Sequence, residues 1–262
     1  MSNDVFFVIV TAVIKQAVIL SAGLGTRMGS LTDNVPKVMV SILGKPLLLW
    51  HIEQFKKHGV KEFFINLHYL PDVVKDYFGD GSKFGVKINY SFEPTILGTA
   101  GGLKKFSAEG GSASGGEDKL DDEFFLIYGD TFSLVDYSKM VEFFSTKLDA
   151  IGIQRVGLLG YRTDVDLVEL GANKRLIKIH PKPNAPKIDN LYSMRGIFIL
   201  KKKILESIPP DVYYEIGKDL LPHIIGKEAF YGYECDGYSK GIDTLEKLSE
   251  VEHYLNANHI TP

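Results

Sequence analysis

Lys15-Gln16-Ala17-Val18-Ile19-Leu20 runs directly into Ser21-Ala22-Gly23-Leu24-Gly25-Thr26-Arg27-Met28-Gly29. The first six residues form a short, largely apolar run of the kind that makes a strand buried on both faces. The glycine loop after it can bring backbone N–H groups close to an anion, as the loop after the first strand of a doubly wound sheet does. Two familiar phosphate loops fail on spacing. The dinucleotide fingerprint G-x-G-x-x-G begins at Gly23 and Gly25 but meets Met28 where its third glycine belongs, and G-x-x-x-x-G-K-[ST] has no match in this segment.

Working outward, Pro46 opens an amphipathic helix over Leu47 to His58, with Gly59 as its stop. Strand patterns follow at Glu62 to Leu67, Val86 to Phe92, Glu123 to Tyr128 and Ala150 to Leu159. Helical patterns lie between them near Asp72 to Phe78, Gly101 to Phe106 and Tyr137 to Lys147. This alternation predicts an α/β fold: a doubly wound, mostly parallel, Rossmann-like sheet covered on both faces. From about Asp166 the texture changes to short strands (Asp166 to Leu170, Arg175 to Ile179, Tyr192 to Leu200), which predicts a small substrate-covering β subregion. A strand at Glu228 to Glu234 and a helix from about Thr244 to Asn256 close the chain.

Residues 107–122 are rich in Gly, Ser and acids and are expected to form a flexible surface insertion. A linker between domains is the other reading, but the same βα rhythm continues on both sides. Residues 1–14 read as an N-terminal extension, and 15–262 as a single domain with that insertion. The apolar run Val5 to Ile14 is ten residues long, against the roughly 20 needed to span a bilayer.

The 262 residues, 45% hydrophobic and 24% charged, suffice for one large core. A net charge of -3 argues against a sequence-independent grip on nucleic acid, so phosphate chemistry must use a few placed cations. The single cysteine, Cys235, permits no intramolecular disulfide and points to a reducing compartment, the cytoplasm. Two cations stand near the glycine loop. Arg27 offers a planar fork suited to a leaving pyrophosphate, and Lys37 a compact charge for a phosphate under attack. The alternative is that the glycines only turn the chain and both cations are solvated.

Ala17-Val-Ile-Leu-Ser-Ala-Gly-Leu-Gly-Thr-Arg-Met28, Val35-Pro-Lys37 and Gly44-Lys-Pro-Leu47 together resemble the signature of the sugar-phosphate nucleotidyltransferases. The resemblance continues through Ile65 to Leu70, Tyr77-Phe-Gly-Asp-Gly81, Leu97-Gly-Thr-Ala-Gly-Gly-Leu103 and Tyr128-Gly-Asp130. It implies that Ala22, Gly23, Gly25, Thr26, Gly98 and Thr99 bind the nucleotide, and that Arg27 and Lys37 act on its phosphates. It also implies a Mg²⁺ ion held by Asp130 and a second aspartate near the C-terminus. Mg²⁺ suits such a site, since it takes one or two carboxylates together with phosphate oxygens and water. A turn residue after a buried strand is the other reading of Asp130.

Many relatives read like Asp-Ile-Gly-Thr-Pro-Glu, whereas this chain reads Lys240-Gly-Ile-Asp-Thr-Leu-Glu246. The second acid is therefore taken as Asp243, with a helix N-cap as its alternative role and Asp236 in reserve. The family's Glu-Lys-Pro motif corresponds to Ile179-His-Pro-Lys-Pro183, which keeps the lysine as Lys182 for the sugar phosphate and puts Pro181 in place of the glutamate. Where relatives often have Asn-Ala-Gly, this chain has Met194-Arg195-Gly196.

Glu93 stands five positions before Gly98. A carboxylate there suits the N–H donors of guanine better than the carbonyls of uracil or thymine. Together with a likeness of Asp164 to Glu169 and His180 to Pro183 to the mannose- and heptose-1-phosphate guanylyltransferases, it gives the expected reaction. GTP and a sugar 1-phosphate yield a GDP-sugar and pyrophosphate, with no nucleic-acid or membrane partner and a homo-oligomer left open. The alternatives are uridylyl, thymidylyl or cytidylyl transfer to another hexose 1-phosphate, a non-catalytic nucleotide-sugar-binding regulatory subunit, and a dinucleotide-dependent oxidoreductase.

Overall fold

The first strand, β1 (Gln16–Leu20), lies at the centre of the molecule. Ala17, Val18 and Ile19 have no exposed surface. It pairs in parallel with β4 (Glu62–Leu67) on one side and β6 (Glu123–Tyr128) on the other, so its apolar character on both faces is the consequence of helices above and below. The chain is described by a computed structural model over residues 13–107, 120–158, 165–182, 186 and 188–262. Residues 1–12 of the N-terminal extension and 108–119 of the surface insertion lie outside the described residues. So do 159–164, at the expected end of the Ala150 strand and the start of the Asp164 stretch, and Pro183.

Between β1 and β4 come a two-residue-stranded hairpin, β2 (Ser41–Ile42) and β3 (Lys45–Pro46), and helix α1 (Leu47–Lys57). Pro46 stands at the cap and Leu47 begins the helix. α2 (Pro71–Phe78) leads to β5 (Lys87–Phe92), which pairs in parallel with β4. α3 covers Gly98–Lys104, starting three residues before the expected helix. Its early start is set by tertiary contact: the N–H groups of Ala100 and Gly101 donate to the Tyr214 carbonyl at 2.9 and 3.0 Å. Gly98 has φ +74, and a Cβ there would stand 2.7 Å from the same carbonyl oxygen, so no other residue fits this approach.

After β6 come the short β7 (Thr131–Ser133), α4 (Tyr137–Ser145) capped by the Asp136 side chain, and β8 (Ala150–Leu158). The expected β subregion is β9 (Leu167–Leu170), β10 (Leu176–His180) and the first half of β11 (Leu191–Lys201). It extends the central sheet rather than standing apart from it. β11 is long enough to lie beside two strands in turn: its second half pairs antiparallel with β6 and its first half with β9, while β8 runs along its other edge. The main path of the nine-stranded sheet is β10-β9-β11-β6-β1-β4-β5, and β12 (Ala229–Glu234) pairs in parallel with β8.

The helices make two apolar layers. α1, α2 and α4 pack Leu48, Phe55, Val74, Phe78 and Met140 onto one face. α3 and the short α5 (Leu221–Ile224) pack Leu103 and Leu221 onto the other. A third cluster decides where the site lies. The C-terminal helix α6 (Leu245–Ala257) places Val251 and Leu255 against Met28, Ile42, Trp50 and Phe132. The chain's last helix is thus tied to its first loop, and Met28 is a core anchor of that loop. Among the described residues no helix is long and apolar enough to cross a membrane.

Candidate active site

The loop Ser21 to Arg27 leaves β1 at the C-terminal edge of the parallel strands, where ligands of such sheets bind. It is held from below: the Ser21 N–H donates to Asn66 Oδ1 at 2.6 Å, and the Thr32 hydroxyl donates to the Gly25 carbonyl at 3.0 Å. Gly23 has no neighbour that a Cβ would meet, so its backbone faces open space.

Asp130 follows the end of β6. The residue before it must be small, because a Cβ on Gly129 would stand 2.7 Å from the Leu20 carbonyl oxygen. Across this junction Lys37 Nζ, largely buried, lies 2.6 Å from Asp130 Oδ2. Beneath it, His51 Nε2 lies 3.0 Å from the Gly129 carbonyl oxygen. Burial pushes His51 down to about 4, against the opposing pull of that carbonyl and of Asp130. The ring is therefore neutral at ordinary pH, with Nε2 as the donor.

The second acid arrives by strand pairing. β13 (Ser239–Gly241) runs antiparallel to β7 with Gly241 opposite Thr131, and the Ile242 N–H donates to the Asp130 carbonyl at 2.7 Å. That register puts Asp243 at the same end of the ribbon as Asp130. Asp243 pairs with Arg27 and, at 2.6 Å, with Lys247. Burial opposes its ionisation, but Lys247, Arg27 and Lys37 outweigh that and hold its carboxyl below the ordinary carboxylate value. The N-cap of α6 is Thr244, whose hydroxyl accepts from the Lys247 N–H, so Asp243 is free of that role. Asp236 is exposed and lines neither cavity of the site.

Two cavities meet here. One, of about 410 Å³, is lined by Ala22, Gly23, Gly25, Thr26 and Lys37 on one side and by Gly98 and Thr99 on the other. The second, of about 270 Å³, is lined by Lys182, Asp166, Arg195 and Asp243. Arg27, Tyr128 and Asp130 belong to both. The cleft thus has room for two anionic ligands with Arg27 and Asp130 between them. Every expected residue but one is brought to it.

The exception is Glu93, and its expected contact with a base is corrected. It is fully buried and lines neither cavity. Its Oε1 accepts from the Asn66 amide at 2.6 Å and its Oε2 from the Leu97 N–H at 2.9 Å. Because Asn66 also holds Ser21, Glu93 ties the glycine loop to the start of α3, and both carboxylate oxygens are occupied by protein donors.

Sequence reasoning missed Asn66, Tyr128, Glu215, Gln154 and Lys247, all of which line the cleft. Asn66 carried a signal, a polar residue inside the apolar run Phe63-Phe64-Ile65-Asn66-Leu67. Lys247 carried a weaker one, four places after Asp243 at the start of a helix. Glu215 had none, since it comes from a loop far along the chain that docks on α3 through the Tyr214 backbone.

A family model described as nucleotidyl transferase matches residues 16–240. A UTP–glucose-1-phosphate uridylyltransferase from Synechocystis is 30% identical over 84% of this chain, which spans 58% of that protein's length. A D-glycero-alpha-D-manno-heptose 1-phosphate guanylyltransferase from Aneurinibacillus thermoaerophilus is 28% identical over 92% of this chain and 100% of its own. The crystal structure of HddC from Yersinia pseudotuberculosis complexed with GMP-PN superposes with a TM-score of 0.73 at 24% identity, covering 92% of this chain and 100% of that one, which shows a shared fold.

Proposed function

This chain belongs to the nucleotidyl transferase family, and on that premise we propose that it joins a sugar 1-phosphate to a nucleoside triphosphate, releasing pyrophosphate. The observation that carries the reading is the pairing of Lys37 with Asp130 and of Arg27 with Asp243 where the two cavities meet. The larger cavity, walled by the glycine loop and the start of α3, takes the triphosphate. The smaller one, with Lys182 and Arg195, takes the sugar phosphate.

A non-bridging oxygen of the sugar phosphate attacks the α-phosphorus in line. The bond between the α-phosphorus and its bridging oxygen breaks, and pyrophosphate leaves with that electron pair. The nucleophile is already ionised, so no general base is required. Positioning and charge neutralisation do the work, with Lys37 at the α-phosphate, Arg27 at the departing pyrophosphate and Lys182 at the attacking phosphate.

The donor set fits Mg²⁺: two hard carboxylates at one end of a ribbon, and among the described residues no third acid or histidine completing a protein cage. Asp130 and Asp243 would hold the ion, with the remaining positions left to phosphate oxygens and water. When bound it supplies further neutralisation of the triphosphate.

For the substrates we propose GTP with mannose or heptose 1-phosphate. The support is the heptose-1-phosphate guanylyltransferase name of a relative matched along its whole length. UTP with another hexose 1-phosphate is the second reading, favoured by the uridylyltransferase relative and by the withdrawal of Glu93 from the cleft. With one cysteine and nucleotide substrates, the chain works in the cytoplasm. A matrix of four nucleoside triphosphates against mannose, glucose, N-acetylglucosamine and heptose 1-phosphates, read by pyrophosphate release, tests this. GTP with mannose or heptose 1-phosphate is the expected pair, best turnover with UTP selects the second reading, and silence in every well overturns both.

A further inference from the structure

The register of β11 against β8 breaks between Met194 and Phe198, so Arg195 falls outside the regular ladder. Its carbonyl is satisfied instead by a side chain from β8: Gln154 Nε2 donates to Arg195 O at 2.9 Å. That bond settles the orientation of the amide, because only the NH₂ end can donate to a carbonyl. The other end must be the oxygen. Gln154 is 1% exposed, and its Oε1 accepts from no donor among the described residues. A buried acceptor without a partner is rare in a folded protein and calls for an explanation.

Gln154 lines the smaller cavity, the one proposed above for the sugar phosphate, beside Lys182, Arg195 and Asp166. The two cations suit a phosphate. Gln154 belongs to the same wall, and its unpaired carbonyl oxygen suits a neutral donor; the neutral donors that a sugar 1-phosphate brings are its ring hydroxyls.

We infer that Gln154 Oε1 accepts a hydrogen bond from one hydroxyl of the bound sugar and selects against sugars lacking it. The inference rests on reading this cavity as the sugar-phosphate site. A site built around a buried acceptor rejects an analogue without the matching hydroxyl strongly, because binding that analogue leaves the acceptor unpaired. Gln154 is thereby a specificity residue of a class separate from the cations: it reads the sugar and leaves the phosphate chemistry to Lys182 and Arg27.

The test uses the full chain with a series of mono-deoxy mannose 1-phosphates, or the matching series of whichever sugar the substrate matrix selects. One deoxy position is expected to lower kcat/KM about 10- to 100-fold. Gln154→Met, close in volume and lacking both the acceptor and the donor to the Arg195 carbonyl, is expected to raise KM for the complete sugar 1-phosphate by a similar factor, so the loss of discrimination at one hydroxyl is the decisive readout. It should keep KM for the triphosphate within about 2-fold and lose the discrimination at that one position. Unchanged discrimination in Gln154→Met overturns the inference, as does an equal rise in both KM values. Should that variant fail to fold, the wild-type series decides alone: uniform tolerance of every deoxy sugar overturns it. Wild-type protein that turns over no sugar 1-phosphate overturns the reading of the cavity and this inference together, whereas turnover without hydroxyl discrimination overturns the inference only.

Discussion

Ile242 donates its backbone N–H to the Asp130 carbonyl at 2.7 Å, closing the β7–β13 ribbon at the end where both site carboxylates emerge. One backbone bond thus joins the end of the central strand β6 to the approach of the last helix. It makes the position of Asp243 depend on the register of two three-residue strands.

Lys37→Ala and Asp130→Asn are each expected to lower kcat by about 10²- to 10³-fold, the usual loss when one preorganised charge is taken from a transition state. Lys37 is the cation nearest Asp130 at 2.6 Å, so each change also unpairs the other group. Pyrophosphate release measured beside a circular dichroism spectrum separates lost chemistry from lost fold. Near wild-type rates in either variant would refute the roles assigned to the pair.

Asp243→Asn is expected to raise the Mg²⁺ concentration needed for half-maximal turnover by about 10-fold or more, because one of two anionic oxygen ligands is gone. Asp236→Asn, at an exposed position outside both cavities, should titrate like wild type. A Mg²⁺ titration of the three proteins measures this, and reversed behaviour of the two variants would move the second carboxylate to Asp236.

Glu93→Ala is expected to cost stability without changing the choice of base. It strips the acceptor from the Asn66 amide and the Leu97 N–H, and each buried donor left unpaired costs about 1–3 kcal/mol. Urea unfolding should show a lower midpoint, and the ratio of GTP to UTP turnover should stay that of wild type. A changed ratio at unchanged stability would return Glu93 to the base site.

His51 predicts an acid-sensitive fold. Its value of about 4 lies below the ordinary 6.5 because burial disfavours the cation. The unfolded chain therefore takes up a proton that the folded one refuses as pH falls from 6.5 to 4. Stability falls with pH across that window, by about 3 kcal/mol at the lower end for this one group. Thermal unfolding between pH 7 and pH 4 should show a shallower decline for His51→Gln, which can still donate to the Gly129 carbonyl. Parallel declines for the two proteins would remove His51 from the account.

Local features of the chain were readable because they act over a few residues. The apolar run before the glycine loop, the Gly59 stop after α1 and the helical spacing of α6 each determine an element without help from elsewhere. The same holds for Arg27, Lys37 and Asp130, which sit in short motifs beside those elements. α3 already strains that rule: three glycines in seven residues make a poor helix by propensity, and the Tyr214 carbonyl overrides it.

The sequence by itself determined the layered α/β architecture and the glycine loop, and it named Arg27, Lys37 and Lys182, which line the cleft, as candidate cations. Only the tertiary structure brings Asp243 to the same end of the ribbon as Asp130, because Arg27 and Asp243 lie 216 positions apart and meet through strand register and the packing of α6 on Met28. It alone decided that Glu93 faces inward and that Gln154 is left with a buried acceptor unpaired among the described residues. Such assignments depend on which donors stand opposite a side chain once distant strands have paired. Neither composition nor spacing contains that information.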